Sequence, residues 1–343
     1  MKKLLNTLYL TRENAYMSKD GENVVIIEDG KKIGRFPIHI LDSIICFSHL
    51  GASPALIGLC TENNVAISFL TPFGKYCGQV VGQENGNVLV RRKQYSMADS
   101  DASLSFVRNI IYAKGLNSKT VLKRVILDHG SKIDKDKVSA KIDNIDSLLQ
   151  SVKSADDKDS IRGLEGAIAK EYFGCFDELI LKQKEEFYFK QRTKRPPEDN
   201  VNALLSFMYT ILAHDIGSAL ASVGIDRYVG FFHTDRPGRI SMALDMMEEL
   251  RAYMVDRAAL SLINLKMISE KDFLPKENNA VLLNEEGRKK VLDYWQTRKH
   301  KTITHPYLKE SISLGLLPHV QALLLNRYIR GDIEEYPPFL IKE

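Results

Sequence analysis

Apolar positions recur along this chain at two different periods. Up to about residue 95 they come in short runs, LLNTLYL, NVVIIE, KKIGRFP, DSIICF, VAISFL, YCGQVVG and NVLVRR, separated by Asp20-Gly21, Asp29-Gly30, Pro72 and Asn85-Gly86. Runs of that length between Gly, Pro, Asn and Asp read as strands. Asp-Gly and Asn-Gly pairs suit type I′ hairpins because both central residues need a positive φ. One segment breaks the pattern. In SPALIGLCTENN, Ser53 is placed to cap a helix whose first turn begins at Pro54.

Beyond about residue 96 the apolar period lengthens to that of a helix. Segments 100–116, 118–134, 137–152, 157–173, 176–192, 198–223, 240–262, 284–297 and 307–330 are predicted helical, and VGFF is the one remaining strand-like run. TKRPPED, 193–199, breaks the helical part, and 264–283 reads as an irregular connector. No internal repeat is present. The pattern predicts an α+β protein: a β-rich domain over 1–96, then a larger all-α domain over 97–343.

Composition narrows the class. With 343 residues, 44% hydrophobic and 27% charged, the chain reads as soluble, globular and long enough for two domains. No apolar run approaches the about 20 residues of a membrane helix, so no membrane partner is expected. MKKLLNTLYLTREN lacks a long apolar core and a cleavage site, which makes it a first strand and predicts a cytoplasmic protein. Cys46, Cys60, Cys77 and Cys175 form no C-x-x-C pair and are expected to be buried free thiols. The net charge of +4 is mild. Basic residues cluster at Arg91, Arg92 and Lys93, at Lys190, Arg192, Lys194 and Arg195, and at Arg298, Lys299 and Lys301 beside Trp295. One such run is ordinarily solvated surface; three together favour a polyanionic partner.

Candidate chemistry gathers around GFFHTDRPGRISMALDMMEELR. On helix 240–262, Met242, Met246, Leu250, Tyr253 and Met254 share one side, and Asp245, Glu248, Glu249 and Asp256 share another. The plain reading of the second side is a solvated acidic face, with Arg251 relieving the repulsion between Asp245 and Glu248. His233 alone would be a satisfied turn or core histidine. The loop that follows it, however, can fold it back over the first turns of the helix, and imidazole with two carboxylates is a donor set for Mg²⁺ or Mn²⁺. Upstream, in IRGLEGAIAKEYF, Glu165 borders the stripe of Ile161, Leu164, Ile168 and Tyr172, with Gly166 and Ala167 leaving room beside it.

Several segments, in order, carry a resemblance: GASPALIGLCTENNVAISFLTPFGKY, GNVLVRRKQY, RGLEGAIAKEYF, DNVNALLSFMYTIL, GIDRYVGFFHTDRPGRISMALDMMEELRAYMVDR and LNRYIRGDIEEYPPFL. The chain resembles the integrase subunit of CRISPR spacer acquisition, the universal adaptation nuclease of CRISPR-associated systems. Its YPPFL tail and HTDRPGR loop are most similar to the type I-C branch.

The resemblance implies an N-terminal β-sandwich, a helical catalytic domain, and Mg²⁺ or Mn²⁺ held by Glu165, His233 and Glu248. Asp245 is implied as a companion acid, standing behind the ligands or holding a second ion. The implied reaction is insertion of short DNA fragments into a CRISPR array, a 3′-hydroxyl attacking a phosphodiester, with DNA endonuclease activity. Arg91, Arg92, Lys190, Arg192, Arg195 and Arg251 are the candidate DNA contacts. Implied partners are double-stranded DNA, a second copy joined through the β-domains, and a small CRISPR-associated subunit that completes a heterohexamer. Two alternatives remain open: a general metal-dependent DNA nuclease of repair, and a non-catalytic DNA-binding scaffold whose acids only stabilise helix packing.

Overall fold

The computed structural model describes residues 6–71, 76–82 and 88–341, so the turn signals at Pro72 and Asn85-Gly86 lie outside the described residues. The N-terminal part contains β1 (Asn6–Leu10), β2 (Tyr16–Asp20), β3 (Asn23–Glu28), β4 (Lys31–Pro37), β5 (Leu41–Cys46), α1 (Pro54–Glu62), β6 (Ala66–Leu70) and β7 (Tyr76–Val80). β2, β3 and β4 form an antiparallel meander. The second sheet runs β1-β5-β6-β7, parallel at β1/β5 and β5/β6 and antiparallel at β6/β7. Both sheets and α1 send side chains into one apolar cluster that includes Met17, Val24, Ile44, Leu56 and Ile67. The α+β expectation, with strands first and helices after, holds.

The turns follow their residues. Asp29 and Gly30 both have positive φ (50° and 73°), the type I′ geometry the pair predicts. At the other hairpin Asp20 pairs with Asn23, so Gly21 (φ 59°) is the first central residue of the turn, the position a type II′ turn reserves for glycine. Ser53 caps α1 as expected, its Oγ accepting the Leu56 N–H at 3.1 Å.

One strand expectation fails. NVLVRR is not a strand; its described residues open α2 (Val88–Ala98). Only Val90, Gln94 and Met97 are buried there, at helical spacing, while Val88 and Leu89 face solvent. β-branched Val88 and Val90 favour a strand locally, but burial at a spacing of four and three is that of a helix face.

The helical part continues through α3 (Leu104–His129), α4 (Lys135–Ser154), α5 (Lys158–Phe173), α6 (Asn200–Ser222), α7 (Ser241–Leu250), a π-helical turn over Arg251–Asp256, and α8 (Arg257–Asn264). A short ribbon follows, β8 (Phe273–Pro275) with β9 (Val281–Leu283), then α9 (Glu285–Lys299), a second ribbon, β10 (Thr302–Thr304) with β11 (Ser311–Ser313), and α10 (Leu317–Arg330). Asp134, Asp157, Asp199 and Asn284 start four of these helices by accepting an amide three residues on.

Segments 100–116 and 118–134 prove to be mostly one helix, α3. Gly115 sits at its centre because a Cβ there would lie 2.7 Å from Leu149 Cδ2 of α4. Segment 176–192 is not helical beyond a turn at Phe176–Leu179. Its polar groups bond elsewhere: Asp177 accepts the Phe189 N–H at 2.7 Å, and Gln183 Nε2 donates to the carbonyls of Ile263 and Ile268. The expected connector holds β8 and β9, the last helix begins only at Leu317, and VGFF is loop.

Three composition readings also change. Among the described residues α6 is long and apolar enough to cross a membrane by length and hydropathy, but 78% of its apolar window is buried inside the fold. Arg298 and Lys299 are buried rather than surface charges, bonded to the Tyr253 carbonyl and to Asp215. Cys46, Cys60 and Cys175 are buried, whereas Cys77 is exposed.

Phe106 of α3 lies at the junction of three distant segments, its ring centroid 5.3 Å from Phe231 and 4.9 Å from Tyr336. Phe106→Ala should lower unfolding free energy by about 3–5 kcal/mol in chemical denaturation. Leu127→Ala, at a side chain left exposed, should stay within about 0.5 kcal/mol. Equal losses at both sites would contradict this packing.

Candidate active site

The acidic side of the 240–262 segment is not solvated. Asp245, Glu248, Glu249 and Asp256 are all buried, at 0%, 3%, 0% and 1% exposure. Periodicity assigns charged residues to water by default; here each carboxylate meets donors of its own, from as near as Arg251 to as far as Phe339.

Asp245 organises the histidine loop. Its Oδ2 accepts the N–H groups of Phe231 and Phe232 at 2.6 and 2.9 Å, and Oδ1 accepts the His233 N–H at 2.9 Å. Oδ1 also lies 2.6 Å from His233 Nδ1, so Nδ1 carries the proton and donates it to the carboxylate. The loop lies so tightly on α7 that a Cβ at Gly230 would sit 2.8 Å from Ser241 Cβ.

Glu249 points away from the histidine and anchors the C-terminal tail. It accepts Tyr336 Oη–H at 2.5 Å, the Phe339 N–H at 2.5 Å and Gln321 Nε2 at 3.0 and 3.1 Å. Burial raises its pKa to about 7 despite these donors. Asp256, the last residue of the π turn, accepts Tyr209 Oη–H at 2.5 Å, and burial raises it to about 6.

Glu248 faces a cavity of about 140 Å³ that it shares with Glu165, His233, Arg192 and Arg251. Three sequence-predicted ligands therefore meet at one place, from α5, the histidine loop and α7. Arg251 NH2 lies 2.8 Å from Glu248 Oε1, and His233 Nε2 lies 3.8 Å from the same oxygen. Burial alone would raise the Glu248 pKa; Arg251, Lys114 and His233 together hold it far below the ordinary range.

Lys114, on α3, was not singled out by the sequence. Its Nζ lies 2.7 Å from Glu248 Oε2 and makes a still shorter contact with Glu165 Oε1. One ammonium thus joins the two carboxylates. Ala113 and Gly115 flank it, both buried to some degree, the same small-residue setting noted around Glu165. Lys194 lines the cavity too, its pKa lowered by desolvation and by Arg251, Arg192 and Lys114.

The donor set fits a divalent ion. Asp245 presents His233 with Nε2 toward Glu248, the carboxylate–imidazole arrangement that metal-ligating histidines use. Glu248 Oε2 is buried with an ion-pair contact but no directed hydrogen bond. Among the described residues, no three His, Cys, Asp or Glu groups are closed around one point as they stand, and Lys114 Nζ lies between the two carboxylates.

The remaining candidate DNA contacts scatter. Arg192 is half-buried, bonded to Asn202 Oδ1 at 2.7 Å and Ser206 Oγ at 3.0 Å. Both Arg192 and Arg251 lie over the Tyr209 ring, at 5.5 and 4.9 Å. Arg92, Lys190 and Arg195 are exposed, and Arg91 is half-buried with Nε on the Gly224 carbonyl at 3.2 Å; none of these four lines the cavity.

Comparison with known proteins bears on this arrangement. The profile of the family described as CRISPR associated protein Cas1 matches residues 8–297. The chain belongs to the Cas1 family. It is 46% identical over 341 residues to a CRISPR-associated endonuclease Cas1 of Chlorobaculum tepidum, covering 99% of each chain. It is also 46% identical over 346 residues to one of Rhodospirillum rubrum, covering 100% of each. The chain is accordingly an enzyme of the CRISPR-associated endonuclease family.

Among solved structures, a casposase bound to integration product is similar with a TM-score of 0.85 at 24% identity, over 98% of this chain and 95% of that one. A CAS1 protein from Thermotoga maritima is similar at 0.80 and 22%, over 98% and 100%. The Cas1 fold is shared by all three.

Glu249 links stability to pH. Its ordinary pKa is 4.5 and its folded value about 7, so between these the folded state keeps a proton that the unfolded chain has lost. The stability contributed by this group is fully present below about 4.5 and is lost as pH rises through about 7. Glu249→Gln should flatten the fall in Tm between pH 5 and pH 8 relative to wild type. An identical fall in both proteins would count against a protonated Glu249.

Proposed function

We propose that this Cas1 chain is a metal-dependent DNA integrase of CRISPR adaptation that also cuts DNA. Short DNA fragments enter a CRISPR array when a fragment's 3′-hydroxyl attacks a phosphodiester of the repeat and the 3′-oxygen of the broken strand leaves. The observation that carries the reading is the convergence of Glu165, His233 and Glu248 on one cavity that Lys114, Arg192, Lys194 and Arg251 also line. Such a cavity suits phosphoryl transfer, where alignment and charge neutralisation matter more than a protein nucleophile.

Glu165, Glu248 and His233 Nε2 would hold Mg²⁺ or Mn²⁺. When bound, the ion supplies Lewis-acid stabilisation of a phosphate oxygen. The chain's own residues do the rest. Asp245 fixes the tautomer and direction of His233 through Nδ1. Arg251 keeps Glu248 ionised. Arg192 and Lys194 face the cavity as counter-charges for a strand, and the exposed Arg92, Lys190 and Arg195, with half-buried Arg91, position the duplex through its phosphates.

The working assembly in this proposal is a homodimer through the β-domains, two such dimers being bridged by a small adaptation subunit, in the cytoplasm. A Cas6-RT-Cas1–Cas2 complex contains a chain of similar fold, with a TM-score of 0.83 and 22% identity over all of this chain and 36% of that one, which supports Cas2 as that subunit. The YPPFL tail and HTDRPGR loop support assignment to the type I-C branch.

Glu165→Ala, His233→Ala and Glu248→Ala should each reduce joined product to background in a plasmid-integration assay while leaving DNA affinity largely intact, and EDTA should do the same to wild type. His233→Ala joining a labelled oligonucleotide at the wild-type rate would contradict the assignment. Nicking without joined product from the wild type would favour a repair nuclease. Asp245→Asn, which keeps the shape behind His233 but not the charge, should weaken Mn²⁺ binding by about 10–100-fold. Unchanged Mn²⁺ affinity in calorimetry would mean that Asp245 does not orient a ligand.

A further inference from the structure

We infer that Lys114 is a working part of this site: it holds the two carboxylates together when no metal is present and contacts a DNA phosphate once a metal has taken its place. The inference rests on the metal reading above.

The geometry supplies the first half. Lys114 Nζ touches Glu165 and lies 2.7 Å from Glu248 Oε2, and the side chain is 12% exposed. Two carboxylates brought together from different helices repel, and with Glu248 buried and Glu165 half-buried a cation between them relieves that repulsion. Lys114 supplies it without any solvent ion. A divalent ion bound by the same two oxygens must then compete with the ammonium, because both need the lone pairs of Glu165 and Glu248.

The second half follows from the charge left over. Lys114, Arg192, Lys194 and Arg251 line the cavity with Glu165, Glu248 and Asp256, four cationic side chains against three carboxyls. Adding a divalent ion makes the excess of positive charge larger, and the class of ligand that balances it is a polyanion such as a DNA strand. Arg251 cannot be the group that moves. Its guanidinium is fixed at 2.8 Å from Glu248 Oε1 and lies 4.9 Å over the Tyr209 ring. Arg192 is likewise tied to Asn202 and Ser206. Lys114 has a flexible stem and a compact charge, with the carboxylates as its ion-pair partners in the cavity. Release from them frees a donor already inside the cavity, and no proton changes hands in the exchange.

This role separates metal affinity from rate. Removing the competitor raises metal affinity, because the site no longer spends part of its population closed by an internal ion. Removing the phosphate contact slows the reaction. A residue that only supports the fold would lower both.

The test uses the full-length chain and Mn²⁺ as the probe. Lys114→Met should bind Mn²⁺ about tenfold more tightly or better in calorimetry, melt at lower temperature in metal-free buffer, and form joined product about 10–100-fold more slowly at saturating Mn²⁺. Lys114→Arg should keep near wild-type Mn²⁺ affinity and recover part of the rate. Lys114→Gln, neutral but polar, carries the same expectations should the Met variant fail to fold. Mn²⁺ affinity that is unchanged or weaker in the neutral variants overturns the inference, as does an unchanged rate. Mn²⁺ bound equally by wild type and Glu165→Gln would place the ion elsewhere and overturn the metal reading itself, a result separable from any behaviour of Lys114.

Discussion

A single helical segment carries four carboxylates into the interior, and it can be buried only because each is met by donors from another part of the chain. An unpaired ionised carboxyl in an apolar core is prohibitively unfavourable. Asp245 is satisfied by three backbone amides and an imidazole, Glu249 by the tail and Gln321, Asp256 by Tyr209. Glu248 differs from the other three. Its partners are side-chain cations around a cavity, and they drive its pKa down, where burial drives those of Glu249 and Asp256 up. The cavity lies where the interior leaves a carboxylate with side-chain cations as its partners.

The same requirement ties the fold together over long distances. Asn117 of α3 donates to the carbonyls of Glu249 and Phe339 at 2.7 and 2.8 Å, and its Oδ1 accepts the Ile341 N–H at 2.8 Å. The tail, α3 and α7 therefore form one hydrogen-bonded block. Lys114 lies one turn from Asn117 on α3, so the group between the two carboxylates is held in register with the helix that bears Glu248. The π turn at Arg251–Asp256 follows directly. Such turns concentrate at functional sites, and this one contains both Arg251, on Glu248, and Asp256, on Tyr209.

Legibility in the sequence divides along physical lines. Helices with a clear apolar stripe and a capping residue, such as α4 and α5, were readable to within a residue or two, because spacing and cap are local properties. So was the order of strands then helices. The failures share a cause. NVLVRR, 176–192 and the acidic side of 240–262 depend on what packs against them, which no local pattern records. His233, Glu165 and Glu248, which line one cavity, were legible as candidates because their residue types suit a divalent ion and their surroundings carry a family resemblance. Lys114 sits in an ordinary helical context, and only the approach of α5 and α7 gives it meaning. The YPPFL tail was visible as a motif, but its bond to Glu249 through Tyr336 and Phe339 was not.

The central claim is that Glu165, His233 and Glu248 form a metal site with Asp245 standing behind the histidine. The most direct measurement is a crystal structure grown with Mn²⁺, with diffraction recorded on the manganese absorption edge. The account predicts an anomalous peak in contact with Glu165, Glu248 and His233 Nε2, with Asp245 still on Nδ1. A peak elsewhere, or none with Lys114 unmoved between the two carboxylates at saturating Mn²⁺, would contradict it.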